Sequence, residues 1–137
     1  MKFENSPHFE SLNPHKVELP FGNYYFCKKF VLAEPFEGIH FTWQNATLLI
    51  SEIFEYYGED VRIAYIANRI NAYSIDPQNW QKLEKQYNLL VASAIVSYNN
   101  GAYLSASVEK QFTSASIKRC FSLDEAIKWV NTLKELN

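Results

Sequence analysis

Glycine and proline are scarce, with four Gly and five Pro in 137 residues, so long flexible linkers are excluded. So few glycines also leave little material for phosphate-cradling loops. The chain has no Gly-x-Gly-x-x-Gly, no phosphate loop ending in Gly-Lys-Ser/Thr and no Gly-x-Ser-x-Gly. Cysteine is limited to Cys27 and Cys120, far apart and without a Cys-x-x-Cys spacing. Each lies in a run read as strand, where a small buried thiol is expected. Charge of one sign is also missing. The 13 basic and 15 acidic residues leave a net charge of −2, which argues against a nucleic-acid footprint and an acidic disordered tail. No apolar run reaches the roughly 18 residues of a membrane helix, so no membrane span is expected. Residues 1–13 are polar and lack the apolar centre of a signal peptide, which makes cytoplasmic the expected location.

Hydrophobic residues make up 47% of the chain, enough for one domain with a substantial core. Aromatics are abundant at 16%, with ten Phe, nine Tyr and three Trp. They imply either a core with Tyr at its rim or an aromatic surface for a partner or an apolar ligand.

Residues 1–15 show no hydrophobic period and read as an irregular arm ahead of a single domain over 16–137. Gly22-Asn23 suits a tight turn between Val17–Phe21 and a long strand over Tyr24–Leu32. Pro20 cannot donate to a ladder, so the first of these strands is expected to be short or at an edge. Glu34–Phe41 reads as a connection with room for a short strand. Ala46, Leu49, Ile50, Ile53, Phe54 and Tyr57 follow helical spacing between a Thr42 N-cap and Gly58. The runs 61–67 and 89–96 are apolar on both faces, the mark of strands inside a covered sheet. Asp76-Pro77 opens a helix carrying Trp80, Leu83 and Tyr87. Leu104, Val108 and Phe112 suggest the inward face of another. A short strand over 117–121 precedes Ser122-Leu123-Asp124-Glu125, a capping box for a last helix facing inward with Leu123, Ala126, Ile127, Val130 and Leu133. The fold class is therefore α/β: a mixed, mostly parallel sheet with an N-terminal β-hairpin and about four helices.

No metal-ligand spacing or catalytic motif stands out among His8, His15 and His40, and no cofactor is implied. In open α/β sheets ligands bind beyond the carboxyl ends of the parallel strands. That rule selects Arg69, Asn71, Tyr73 and Ser74 in one loop and Tyr98, Asn99 and Asn100 in the next. Both loops precede helix N-termini, where free N–H groups favour anions. The competing reading is structural: the same residue types turn and cap βα loops, and Arg69 could be an internal tie to Asp76 or Asp60. A second candidate is Glu34 and Glu37 with His40, a carboxylate–imidazole set able to move protons.

From Arg62-Ile63-Ala64-Tyr65-Ile66 to Ser122-Leu123-Asp124-Glu125-Ala126-Ile127-Lys128-Trp129-Val130, the chain resembles small bacterial STAS-like proteins of the SpoIIAA-like group. The resemblance covers residues 60–135 best. It implies a helix-covered sheet without a cofactor and a regulatory role. In phosphorylation-switched members the switch Ser sits in an Asp-Ser-Ser/Thr-Gly-like turn. Ser74 lies in the matching loop, but Ala72-Tyr73-Ser74-Ile75-Asp76-Pro77 lacks the preceding Asp and following Gly, so the switch is not carried over. The group is also similar in fold to CRAL-TRIO lipid-binding domains. The expected function is thus a non-enzymatic STAS-like domain binding a protein partner or small ligand, with homodimerisation open. The alternative is a carrier of an apolar or anionic small molecule, and a third reading is an enzyme using His40 with Glu37.

Overall fold

The computed structural model describes residues 1–114 and 116–136. A 3-10 turn over Phe3–Asn5 and helix α1 (Pro7–Leu12) precede three strands, β1 (His15–Leu19), β2 (Gly22–Phe26) and β3 (Phe30–Pro35). Then follow β4 (His40–Phe41), α2 (Trp43–Tyr57), β5 (Ile63–Asn68), β6 (Ser74–Ile75), α3 (Gln78–Gln86) and β7 (Leu90–Val96). The chain continues through α4 (Asn100–Glu109), a 3-10 turn (Lys110–Phe112), β8 (Ile117–Cys120), α5 (Leu123–Asn131) and a 3-10 turn (Lys134–Leu136).

Six strands form one sheet in the order β1-β2-β3-β5-β7-β8, with β4 and β6 paired separately. β1, β2 and β3 form an antiparallel meander. From β3 to β8 every pairing is parallel. The expected mixed, mostly parallel α/β sheet is therefore the observed one, and β1 lies at an edge.

Period-two alternation divides the side chains between two covers. On one face Leu32, Ala64, Ile66, Ala94 and Val96 meet α5 through Leu123, Ala126, Ile127 and Val130. On the other, Val31, Ala33 and Ile63 meet α2 through Leu49, Ile50 and Ile53, and Ala67 and Ile95 meet Trp80 of α3 and Ala106 of α4. Strands covered on both faces must be apolar throughout. The caps also form as the sequence implies: Thr42 accepts from the Asn45 N–H at 3.1 Å, and Ser122 accepts from the Glu125 N–H at 3.1 Å. The Glu125 carboxylate reaches back to the Phe121 N–H at 2.9 Å, one residue before the N-cap.

Four local expectations are corrected. The run 24–32 is two strands, reversed at Lys28-Lys29 so that Phe26 faces Val31. The first turn falls at Pro20-Phe21, since Leu19 pairs with Gly22. Gly22 instead opens β2, where a Cβ would lie 2.7 Å from the Pro35 Cα. In α4 the expected stripe holds only at its end: Leu104 and Val108 are 64% and 48% exposed while Ala106 and Glu109 point inward, and Phe112, in the 3-10 turn that follows, packs against the core. The arm is not irregular, for it contains α1 and the fully buried Phe3, whose ring meets Phe9 and Tyr25 edge-on at 5.7 and 5.1 Å. With α1 counted there are five α-helices among the described residues.

Candidate functional site

Three neighbouring parallel strands, β3, β5 and β7, deliver a polar residue at or just beyond their carboxyl ends: Glu34, Asn68 and Tyr98. Their positions continue the α5-side alternation of Leu32, Ile66 and Val96. The Tyr98 hydroxyl donates to Asn68 Oδ1 at 2.6 Å, and Asn68 Nδ2 donates to Glu34 Oε2 at 2.7 Å. The chain's first residues complete the group. The Phe3 N–H donates to Glu34 Oε2 at 2.8 Å, and the Met1 carbonyl accepts from Asn68 Nδ2 at 2.9 Å. Burial raises the Glu34 carboxyl above its ordinary range, against the pull of the Phe3 and Asn68 hydrogen bonds. Burial likewise pushes the Tyr98 phenol up to about 12.

Arg69, the next residue after Asn68, turns to the opposite cover. Its guanidinium makes two parallel bonds of 2.6 Å to Glu109 of α4 and donates through Nε to the Tyr73 hydroxyl at 3.1 Å. Trp80 Nε1 donates to the same Glu109 carboxylate at 2.8 Å. Both ions are almost fully buried. Arg69 is thus a tie between the β5 end and α4, with Glu109 rather than Asp76 or Asp60 as its partner.

The other strand-end residues divide among separate tasks. Asn71 Nδ2 donates to the Pro35 carbonyl at 3.1 Å, and Asn99 Oδ1 accepts the Ala102 N–H at 2.8 Å as the α4 cap. Ser74 Oγ lies 2.7 Å from His40 Nδ1, and Asn100 is exposed at the start of α4. The structure therefore brings Arg69 and Tyr73 together on one side of the sheet and leaves Tyr98 on the other. Glu34, Glu37 and His40 do not converge, because Glu34 meets the N-terminal residues and His40 meets Ser74.

Beside the Arg69 tie lies an apolar cavity of about 70 Å³ between α2, α3 and the sheet. Phe41, Trp43, Leu49, Ile53, Tyr65 and Trp80 are among its walls. Both thiols are buried, and desolvation pushes Cys27 up to about 12 and Cys120 up to about 11, which disfavours the nucleophilic thiolate. Among the described residues no group of three or more His, Cys, Asp or Glu could hold a metal ion, and no helix is long and apolar enough to cross a membrane.

Sequence reading placed Asn68 at the start of a candidate loop without singling it out, and overlooked Glu109 and the Met1–Phe3 segment. One usable signal was present for Glu109: Trp80 on an inward stripe needs an acceptor for its indole N–H once buried.

This architecture is a SpoIIAA-like fold. The chain is similar to the crystal structure of an uncharacterised DUF3478-family protein with a SpoIIAA-like fold from Shewanella loihica PV-4, with a TM-score of 0.50 and 14% identity over 85% of this chain and 91% of that one. Such identity shows the fold alone. No family model matches the sequence, and no curated protein matches it.

Proposed function

We propose that this protein is a binding domain of the STAS-like type whose ligand is a small apolar molecule held between α2, α3 and the sheet. The observation that carries the reading is the cavity lined by Phe41, Trp43, Tyr65 and Trp80, with aliphatic side chains of α2 and α3 filling the gaps. Ligand sites are usually concave and mostly apolar. The alternative reading of an anionic ligand held by Arg69 loses its main support, because both faces of the guanidinium fork are spent on Glu109.

A cavity of about 70 Å³ favours slender ligands, and longer ones must part α2 from α3. Titration with straight-chain alcohols of increasing length, followed by Trp fluorescence, tests the reading. Affinity should rise about fourfold per added CH₂, the equivalent of about 0.8 kcal/mol, and then level off when the space is filled. Ala46→Trp, which places an indole in the cavity, should abolish binding while the far-UV circular dichroism stays unchanged. Binding that ignores chain length or the Ala46→Trp change would refute the proposal.

A further inference from the structure

Among the described residues two buried hydroxyls have no hydrogen-bond partner, those of Tyr24 and Ser97. Tyr24 is 0% exposed. The fold finds partners for other inward phenols: Tyr25 donates to Glu4, Tyr57 to the Cys27 carbonyl and Tyr98 to Asn68, while Tyr73 accepts from Arg69. A buried hydroxyl without a partner destabilises the fold that contains it. Such a group therefore points to a use outside the fold itself. Ser97 lies just past the carboxyl end of β7, whereas the apolar cavity meets that strand at its other end, at Leu90. Tyr24 is differently placed.

Tyr24 belongs to the same packed cluster as Phe41, Leu49 and Ile53, which wall the cavity. Phe21 links it to that wall, with ring centroids 5.8 Å from Tyr24 and 5.6 Å from Phe41. Along the sheet Tyr24 pairs with Ala33 of β3, and Ala33 pairs with Ala67 of β5. Two methyl groups keep this row low, which gives the Tyr24 ring room on the side of β5. Burial raises the Tyr24 phenol well above its ordinary value, and Tyr65 and Tyr73 raise it further, so the hydroxyl lies within electrostatic reach of both and stays protonated as a donor. Tyr65 is itself a cavity wall. Polar groups on other walls are already engaged: Asn79 Nδ2 donates to the Phe41 carbonyl at 3.1 Å and Trp80 Nε1 to Glu109 at 2.8 Å. Arg69, the buried cation on this side of the sheet, is matched by Glu109 and leaves no positive charge for an ionised group.

Resting on the cavity reading above, we propose that the ligand carries a neutral hydrogen-bonding end, a hydroxyl or carbonyl on an apolar chain, and that the Tyr24 hydroxyl donates to it past Tyr65. The chain occupies the cavity, and the polar end supplies the partner that Tyr24 lacks. The phenol is stripped of water when the protein folds, not when the ligand arrives. A donor prepared in this way gives its bond to the ligand without a further desolvation cost of its own. Ligands that end in a charge are disfavoured, because burying an ion without a counter-charge is expensive.

The test uses the full chain, wild type and Tyr24→Phe, titrated with hexanol, hexane and hexanoate and followed by Trp fluorescence. Tyr24→Phe removes one oxygen and keeps the ring. Hexanol should bind this variant about fivefold more weakly than the wild type, the worth of one hydrogen bond. Hexane should bind both proteins equally. Hexanoate should bind the wild type at least about tenfold more weakly than hexanol. Without ligand, Tyr24→Phe should melt at or above the wild-type temperature, since it loses an unpaired buried group. If hexane binds but hexanol does not distinguish the two proteins, this inference fails and the cavity reading stands. If neither hexane nor hexanol binds the wild type, both fail. Hexanoate binding as tightly as hexanol overturns the neutral end. A lower melting temperature for Tyr24→Phe with unchanged hexanol affinity assigns the hydroxyl to a buried water and overturns the proposal. If Tyr24→Phe does not fold, the wild type labelled with carbon-13 at tyrosine Cζ decides. Hexanol but not hexane should shift the Tyr24 resonance, and equal shifts with both overturn the proposal.

Discussion

Replacing Arg69 with alanine tests the meaning of the most conspicuous charge in the strand-end loops. Glu109 is 1% exposed and accepts two hydrogen bonds from Arg69 and one from Trp80. In Arg69→Ala only the indole N–H remains, and a carboxylate is left without its counter-charge in a desolvated site. Removing one member of a buried pair costs about 3–5 kcal/mol. A domain of this size is stable by roughly 5–15 kcal/mol, so the loss is a large share of the total. With a urea slope of about 2 kcal/mol per M, a loss of about 4 kcal/mol lowers the midpoint by about 2 M. Glu109→Gln should lose less, because the amide retains an acceptor for Trp80. Arg69→Met with Glu109→Leu should recover most of the stability, since a buried pair often exchanges for apolar packing at little or no cost. Urea unfolding of the four proteins, followed by circular dichroism, gives the three losses relative to wild type. An Arg69→Ala loss below about 1 kcal/mol, typical of an exposed pair, would refute the reasoning.

Three further outcomes are expected. Ile53→Ala and Val130→Ala lie under opposite covers of the sheet, so each should cost about 2–4 kcal/mol and the double variant should be additive within about 0.5 kcal/mol; marked coupling in thermal or chemical denaturation would contradict the two-cover description. Ser122→Ala should cost about 1 kcal/mol and couple to Glu125→Ala, since Glu125 both donates its N–H to Ser122 and accepts from Phe121; strict additivity in a double-mutant cycle would rule out a shared cap. The third concerns pH. Because burial raises the Glu34 carboxyl, the folded state holds that proton more tightly than the unfolded chain, and Glu34 lowers stability as pH rises through and above the ordinary carboxylate range. Glu34→Gln removes this dependence, so its stability relative to wild type should improve between pH 4 and pH 7, and a flat or falling difference would refute the assignment.

The sequence reveals best what depends on local or face-wide pattern. β5 and β7 are apolar on both sides because both are covered, and α2 and α5 show their stripes and caps because one side of each meets the sheet. It reveals least where one distant contact overrides the pattern. Lys28-Lys29 has none of the usual turn residues, yet the pairing of Phe26 with Val31 forces the chain to reverse there. In α4 the apolar spacing of Leu104 and Val108 points outward, because Arg69, forty positions earlier, draws Glu109 inside. Phe3 stands alone in a stretch without period, and a single ring gives no periodic signal however deeply it is buried. The strand-end residues were found from the topology rule, which locates a rim but not the directions in which its side chains leave it. Alternation sends Asn68 and Arg69 to opposite sides, and only the three-dimensional arrangement shows which of them keeps hydrogen-bonding company with the chain's own beginning.

The two edges of the sheet are unlike its interior, and the difference governs how the molecule can meet its neighbours. β1 is five residues long, has Pro14 before it and Pro20 after it, and exposes His15, Lys16 and Glu18. β8 is four residues long and carries Lys118 and Arg119 at its centre, with Lys118 ion-paired to Glu125 and Arg119 folded over the Tyr103 ring at 4.3 Å. Short strands, prolines and charges are the means by which natural sheets discourage another strand from adding to them. Growth of the sheet into a neighbouring molecule, whether as ordered partner recognition or as aggregation, is disfavoured at both borders. Selection against that sideways growth leaves the ends of the strands and the helical covers as the surfaces through which this protein can be recognised.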